Sequence, residues 1–402
     1  MATTVVNGLD YAVVDADNHY YETPDCFSRY IDPAYRDLAI TAEKRDDEGW
    51  TVMIGSELYT YFDPKFDRTN PPGSLLTVLR AKDSNAEVKW SDFYSKENML
   101  PAFQNRDQRL ALMDEQGIEA TIMLPSFGVS VPHLMLDDPD QMYANLTAFN
   151  RWLEDDWGYG ADGRIFSPPM ISLLDPDRAV AELDRVLAQG AKIIDVPPGP
   201  TGSGRSPADP IYDPFWSRLN ESGTLLALHL GDSLYPELSA AWGEIPHPPV
   251  REMSAFQWAF NHGDRPVMET IGQLIFGNIF GRFPNIKVLS IENGSDWVPY
   301  LLRLMDKKKG LGRYGPWVGG RPVGRPSDTF KEHVWVAPYP EDDVDAVIDV
   351  IGADRVLFGS DYPHPEGMAE PAHFADLMKR ASEEDIRKVM RTNTAELLGL
   401  SA

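Results

Sequence analysis

The hydrophobic positions of this chain recur as short, β-branched runs, and most runs are followed by a polar turn and a segment with helical periodicity. Such runs are typical of strands that are buried on both faces of a parallel sheet. Eight runs fit this description: 11–17, 118–124, 165–173, 191–196, 224–230, 286–291, 333–338 and 355–361. The third contains two prolines, which weakens it as a central strand. Helical patterns at 105–117 and 175–190 end in glycine, a helix stop signal.

Eight strands that alternate with helices predict an α/β fold, with a (β/α)8 TIM barrel as the leading architecture and an open doubly wound sheet as the alternative. Such a barrel takes about 250 residues, so residues 1–402 are expected to form one barrel domain with two insertions. The insertions fall at 25–104 and 231–275, after strands one and five. Both rise from the carboxyl ends of strands, so we expect them to form a lid over the active-site end. The segment "GWTVMIGSELYTYF" in the first predicts a β-hairpin.

Composition restricts the partners of the protein. The 402 residues include 37 basic and 62 acidic side chains, for a formal charge of −25, which argues against nucleic acid and anionic membranes. No apolar run approaches the roughly 18 residues of a membrane span, and the first residues lack a signal-peptide pattern. The single cysteine, Cys26, excludes an internal disulfide and a thiolate zinc cluster. We therefore expect a cytoplasmic, reducing compartment.

One stretch departs from the acidic average. Residues 303–325 carry seven basic side chains and one acidic one. Two interpretations are open: a solvated helix end with a basic loop, or a docking patch for the phosphates of a large substrate. The second insertion and the apolar segment after it, up to Phe280, are also candidates for a homodimer interface.

Metal-capable side chains lie at the carboxyl ends of four predicted strands. They are Asp17, His19 and Glu22 after the first strand, His229 after the fifth, Glu292 after the sixth and Asp361 after the eighth. In a barrel, all of these strand ends meet at one mouth. Residues two apart on a strand point the same way, so Asp17 and His19 can bind one ion together. Burial of these carboxylates and imidazoles without a partner would cost free energy, and a bound divalent cation offsets that cost.

The types of ligand indicate which metals suit the site. A set without thiolate disfavours a structural zinc site, and carboxylates with imidazoles suit iron, manganese or zinc. Six ligands make two cations more plausible than one. His364, three residues after Asp361, is expected to line the mouth, and we regard it and Glu292 as the candidate catalytic residues.

These residues carry a resemblance to the amidohydrolase superfamily, in the amidohydrolase-2 branch of metal-dependent decarboxylases and hydrolases. The resemblance spans about residues 11–400. The branch's acidic residue-x-His motif corresponds to Asp17-Asn18-His19, its fifth-strand histidine to His229, and its eighth-strand aspartate to Asp361 in "GSDYPH". One departure is Glu292 in "SIENGSDW", where the branch usually has a histidine.

A second departure concerns strand four, which ends in "DVPPGP" without the carboxylated lysine of many two-metal relatives. A second metal would therefore need Glu22 and Glu292. The segments "DADNHYYE" and "IENGS" resemble more closely a divergent group of TIM-barrel nonheme diiron monooxygenases from platensimycin and platencin biosynthesis, a branch of secondary metabolism. This resemblance implies two iron ions, O2, an electron donor and hydroxylation of a C–H bond in a hydrophobic, coenzyme A-linked substrate.

From this resemblance we expect a nonheme diiron monooxygenase whose irons are bound by the six residues above. The alternative is a metal-dependent hydrolase or decarboxylase of the amidohydrolase-2 type. It would hold one zinc or manganese ion on Asp17, His19, His229 and Asp361, with Glu292 as base. A third hypothesis, a non-catalytic binding barrel, requires the metal-capable residues to be coincidental.

Overall fold

The structure is a computed structural model that describes residues 8–45, 49–62, 64–79, 97–231 and 233–401. Within these ranges lie twelve strands: β1 Val13–Tyr20, β2 Ile40–Arg45, β3 Gly49–Ile54, β4 Glu57–Leu58, β5 Arg68–Thr69, β6 Glu97–Asn98, β7 Ile118–Pro125, β8 Ile165–Phe166, β9 Ile193–Asp195, β10 Leu225–His229, β11 Val288–Ile291 and β12 Val334–Val336.

The same ranges contain fourteen α-helices: α1 Leu76–Leu79, α2 Arg106–Gln116, α3 Pro139–Asp156, α4 Pro176–Ala188, α5 Asp213–Ser222, α6 Tyr235–Ala240, α7 Ala255–Asn261, α8 Asp264–Phe276, α9 Ile279–Arg282, α10 Trp297–Leu311, α11 Pro326–His333, α12 Val344–Ile351, α13 Glu383–Arg387 and α14 Asn393–Leu398. Among them, none combines the length and the apolar character that a membrane crossing requires.

Two parallel sheets form the wall of the barrel, with strand orders β1-β7-β8 and β9-β10-β11-β12. A parallel bridge between Met170 and Asp195 joins the first sheet to the second. On the other side, the eighth segment (356–362) bridges to Val336 of β12 and to Asn18 of β1. The eight predicted strand segments therefore follow one another around a ring, which confirms the TIM barrel. An open sheet would leave β1 at an edge, whereas here β1 has parallel partners on both sides.

The predicted helices begin and end where their local signals lie. Asn105 caps α2, since its side chain accepts a hydrogen bond from the backbone N–H of Gln108 at 3.1 Å. Gly117 ends the same helix with a left-handed φ of 72°, a conformation that glycine adopts without steric cost. Asp175 caps α4 in the same way. Local capping residues thus determine where these helices begin and end.

The first insertion contains an antiparallel sheet in which β3 pairs with both β2 and β4. The pairs Met53–Leu58 and Ile54–Glu57 enclose the Gly55-Ser56 turn, which confirms the predicted hairpin. The second insertion contains α6, α7 and most of α8. The two insertions touch, because the backbone N–H of Val250 donates to the carbonyl of Tyr61 at 2.6 Å.

Alternation along β10 separates the inside of the barrel from its outer layer. Leu225 and Ala227 belong to the apolar cluster inside the barrel, whereas Leu226 and Leu228 pack in the larger cluster that includes the surrounding helices. Successive side chains of a strand point to opposite faces. His229, the last residue of β10, therefore faces the same way as Ala227.

Candidate metal centre

Five of the six predicted ligands meet at the carboxyl ends of the barrel strands. One group, in which one ligand atom of each residue lies within 4.8 Å of every other, comprises Asp17, His19, His229 and Glu292; a second comprises His19, Glu292, Asp361 and His364. His19 Nε2 lies 3.2 Å from Asp17 Oδ1 and 3.2 Å from Asp361 Oδ1. All but His364 are buried. Strand ends that are distant in sequence thus deliver one compact cluster.

The side chain of His229 shows that this cluster fits a cation. Neither ring nitrogen has a hydrogen-bond partner among the described residues, although the residue is only 2 % exposed. Its Nε2 lies 2.8 Å from Glu292 Oε2 without the alignment of a hydrogen bond. Unsatisfied buried polar atoms are rare because their desolvation is uncompensated. A divalent cation that suits imidazole and carboxylate would satisfy both groups.

The charges of the cluster shift each other's pKa values. Burial lowers the pKa of His19, but its hydrogen bonds to Asp17 and Asp361 outweigh burial and raise the pKa well above the usual value. Burial raises the pKa of Asp361, but His364 and His19 together lower it to about 2. Burial and the nearby Asp361 raise the pKa of Glu292 well above its usual value. The carboxylates of Asp17 and Asp361 therefore stabilise the protonated, cationic form of His19.

We expect metal binding to release about one proton per chain and to weaken as the pH falls from about 8 to 6. The physical reason is competition, because the proton that Asp17 and Asp361 hold on His19 must leave before that nitrogen binds a cation. Calorimetric titration with Mn²⁺ in two buffers of different ionisation enthalpy measures the number of protons released. Binding of Mn²⁺ with equal affinity at both pH values and no proton release would contradict this prediction.

Two of the clustered residues have a strained backbone. Glu292 and Asp361 adopt left-handed φ angles of 55° and 54°, which cost about 1 kcal/mol or more each for a residue with a side chain. The hydroxyl of Tyr339 donates to the carbonyl of Glu292 at 2.9 Å, and the N–H of Asp361 donates to the carbonyl of Asp17 at 2.8 Å. These bonds hold both turns, and strain of this kind concentrates at functional sites.

A buried polar network supports the first strand, and sequence analysis did not find it. Asp15 accepts hydrogen bonds from the Ser360 hydroxyl at 2.5 Å and from the Asn18 amide at 2.9 Å. Arg109 of α2 donates to Asn18 Oδ1 at 2.7 Å and also to the carbonyl of His19. The network ties β1 both to the eighth segment and to α2. The only signal in the sequence was the period-two spacing of Asp15, Asp17 and His19.

Glu22 lies outside both groups of clustered ligands, among the residues that the structure describes. Its carboxylate accepts hydrogen bonds from the backbone N–H of Phe127, at 2.9 and 3.0 Å, and of Gly128, at 2.8 Å. These amides follow β7, so the glutamate fastens the end of β1 to the next loop. Its predicted role as a metal ligand stays a prediction, and the structure gives the side chain this other role.

Glu22→Gln should leave the metal content unchanged and lower the free energy of unfolding by about 1–3 kcal/mol. The amide group that replaces Oε2 cannot accept from the Phe127 N–H and places a donor against it, and the oxygen that remains is uncharged, so the charge-assisted hydrogen bonds are weakened. Metal per chain and thermal denaturation measure the two effects. Asp17→Asn is the matched control, because it should lower metal content. Loss of metal in Glu22→Gln at unchanged stability would contradict this prediction.

His364 lies at the edge of the centre and contacts three of its neighbours. Its Nδ1 lies 2.7 Å from Asp361 Oδ1 and its Nε2 lies 2.8 Å from Ser126 Oγ, and its ring stacks 3.9 Å from that of His19. Ser126 also donates to the carbonyl of Tyr20 at 2.7 Å. The histidine is thus fixed on both sides. Ser126 was not found from the sequence, because a serine after a strand carries no specific signal.

Comparison with known proteins identifies the relatives of the chain. The family model described as Amidohydrolase (Amidohydro_2) matches residues 14–400. The solved structure of an amidohydrolase from Mycobacterium avium subsp. paratuberculosis K-10 is 38% identical, with a TM-score of 0.87, over 97% of this chain and 100% of that chain. A gamma-resorcylate decarboxylase from Rhizobium sp. (strain MTP-10005) is 26% identical over 319 residues, which are 76% of this chain and 91% of the relative.

A third relative bears on the fold and on the metal. A dihydroxybenzoic acid decarboxylase from Polaromonas sp. JS666 was solved with bound manganese. Its structure is 17% identical to this chain, with a TM-score of 0.60, over 97% of each chain. The similarity supports the same fold for this chain, and the bound ion shows that this fold accommodates manganese in that protein.

The prediction of a nonheme diiron monooxygenase is wrong. The curated relatives are decarboxylases, which are lyases and not oxidoreductases. The predicted partners, O2, an electron donor and a coenzyme A-linked substrate, are wrong with it, since the relatives act on aromatic acids. A physical reason lies in Glu22, whose carboxylate binds backbone amides and leaves a second iron without its expected ligand. The alternative, a metal-dependent decarboxylase, agrees with these findings.

Proposed function

This chain belongs to the amidohydrolase family, and from that premise we propose that it is a metal-dependent decarboxylase of aromatic carboxylic acids. The observation that carries the proposal is the buried cluster at the barrel mouth. In it, Asp17, His19 and His229 form one group of possible ligands with Glu292, and His19 forms the other with Glu292, Asp361 and His364. The similarity of the chain to gamma-resorcylate decarboxylases supports decarboxylation as the reaction class. Carboxylate and imidazole ligands without thiolate are typical of catalytic rather than structural metal sites.

We infer that Asp17, His19, His229 and Asp361 hold one divalent cation, with manganese as the preferred ion and zinc or iron as alternatives. One ion is favoured over two irons because the interaction of Glu22 with backbone amides leaves few ligands for a second. When bound, the ion supplies Lewis-acid stabilisation of negative charge on substrate oxygens. The protein supplies buried ligands, whose positions the strained turns at Glu292 and Asp361 maintain.

Decarboxylation requires a proton at the carbon that loses CO2, because the electrons of the broken C–C bond remain there. We propose that Glu292 and His364 are the groups that hold and deliver this proton. Both lie within the cluster, where Glu292 belongs to both groups of possible ligands, and Glu292 Oε2 lies 2.8 Å from His229 Nε2. His364 is oriented by Asp361 on one side and by Ser126 on the other.

We propose that the two insertions, 25–104 and 231–275, cover this mouth as one lid on a single barrel domain. Support comes from aromatic packing, since Phe62 and Phe66 of the first insertion contact the ring of Phe127. Phe127 is the residue whose N–H binds Glu22, so the lid rests on a loop that adjoins the centre. The lone cysteine, Cys26, is buried and unpaired, which is compatible with the proposed cytoplasmic location.

The proposal is tested by incubating the purified protein with Mn²⁺ and a panel of aromatic acids, including 2,6-dihydroxybenzoate and 5-carboxyvanillate. We expect release of one CO2 per substrate consumed, at the same rate with and without O2. The decarboxylated phenol and CO2 are measured together, so that hydrolysis is distinguished from decarboxylation. A metal-loaded protein that releases CO2 from none of these acids would overturn the proposal.

A further inference from the structure

A crevice of about 740 Å³ lies outside the barrel, between the loop after β9 and the helices α8 and α10. Its volume is in the range of small-molecule sites. The helices contribute mainly apolar side chains, namely Met268, Phe276, Leu301, Leu304 and Met305. The crevice adjoins a narrower cavity whose wall includes Leu226 and Leu228 of β10. Since these face away from His229, strand β10 separates the crevice from the metal centre.

Gly272 lies in the middle of α8 and lines this crevice. Glycine within a helix is destabilising by roughly 0.5–1 kcal/mol relative to alanine, so its presence needs a reason. Close packing is not the reason, because no heavy atom lies within 4 Å of the position that a Cβ would take. A left-handed backbone is not the reason either, since its φ is not positive. The glycine keeps the crevice open along the helix.

The charges at the rim of the crevice favour an anion. Arg205 pairs with Asp209 at 3.4 Å, and Glu269 accepts hydrogen bonds from Tyr235 at 2.7 Å and Arg265 at 3.0 Å. The remaining rim charge is the ammonium group of Lys308, which is exposed and has no acidic partner among the described side chains.

We propose that this crevice is a second ligand site, which binds an amphiphilic monocarboxylate of fatty-acid type. The apolar chain would lie against Met268, Leu304 and Phe276, in the space that Gly272 leaves, and the carboxylate would pair with Lys308. The site is independent of the proposed decarboxylase function, because it uses none of the metal-centre residues and lies on the other face of β10.

The experiment titrates the metal-loaded protein with 11-(dansylamino)undecanoic acid and follows the dansyl fluorescence. We expect saturable binding at one site, displaced by dodecanoate and about two- to fivefold less well by dodecanol. Gly272→Leu should weaken binding by about tenfold or more, because a side chain then occupies the crevice. Lys308→Gln should weaken it by about two- to fivefold, as is usual for an exposed ion pair.

Gly310→Leu is the matched control, since it places the same change in α10 at a position that has no neighbour within 4 Å and does not line the crevice. Leucine is a better helix former than glycine, so both variants should retain the melting temperature. Equal probe affinity in folded Gly272→Leu and wild type would overturn the proposal. Binding that requires the metal and ignores Gly272→Leu would also overturn it, because the probe would then occupy the metal centre.

Discussion

His229→Ala should strip the centre of most of its metal and lower the rate of decarboxylation by about a thousandfold or more, since a Lewis-acid metal supplies several kcal/mol of transition-state stabilisation. The fold should tolerate the change, because neither ring nitrogen bonds to another described group. Substitution of His229 should therefore remove the metal without unfolding the protein. Metal per chain, turnover of an accepted aromatic acid and melting temperature measure the three consequences.

The matched control for this prediction is His373→Ala. His373 has a side chain that is 45% exposed and pairs with Glu370 and Asp376, and it belongs to neither group of clustered ligands. We expect it to keep full metal content and activity. Full metal content in His229→Ala would show that the metal is held elsewhere, and the assignment of the centre to the barrel mouth would then be wrong.

Arg109→Ala should lower the free energy of unfolding by about 3–5 kcal/mol, the range seen when one partner of a buried charged network is removed. Arg109 is completely buried in α2, and its guanidinium donates to Asn18 and to the carbonyl of His19. Its charge also faces the buried carboxyl of Asp15. Truncation leaves two buried acceptors without donors, opens a cavity and removes the charge opposite Asp15.

Chemical denaturation of Arg109→Ala measures this loss, and Arg178→Ala is the control. Arg178 pairs with Asp140 on the surface of α4, where its side chain is 41% exposed, so its loss should cost about 1 kcal/mol or less. Similar stability losses in the two variants would contradict a structural role for the buried network. A loss of metal in Arg109→Ala alone would show in addition that the network fixes the position of His19.

The barrel and the meeting of its strand ends were predictable from the sequence. Apolar runs with intervening helices specify parallel strands, and parallel strands place their carboxyl ends at one mouth. Asp17, His229 and Asp361 therefore come together although hundreds of residues separate them. The eighth strand was harder to delimit, because its segment pairs with β12 and β1 only through bridges and single hydrogen bonds.

The hydrogen-bond partners of Glu22 could not be predicted, because the sequence does not show how the chain turns after β1. Three residues beyond His19 the backbone has left the strand, and the nearest free amides belong to the loop after β7. In the structure the carboxylate accepts hydrogen bonds from those amides. The prediction of two irons depended on that one side chain and on Glu292, and it led to the wrong reaction class.

The buried polar residues that support the metal centre could not be predicted from the sequence either. Arg109 lies in a helix where polar residues are common, and only the packing of α2 against β1 shows that it is buried. Ser126 has the same ambiguity. Such residues acquire their role from tertiary contacts, which periodicity does not encode.

The alternation of side chains along β10 has an evolutionary consequence. The side chain of His229 points into the barrel, while those of Leu226 and Leu228 pack in its outer layer. A substitution at a position of one face can therefore leave the packing of the other face unchanged. Insertion or deletion of one residue in Leu225–His229 would exchange the two faces at once. In a set of homologues, this strand should therefore vary in composition and hold a constant length.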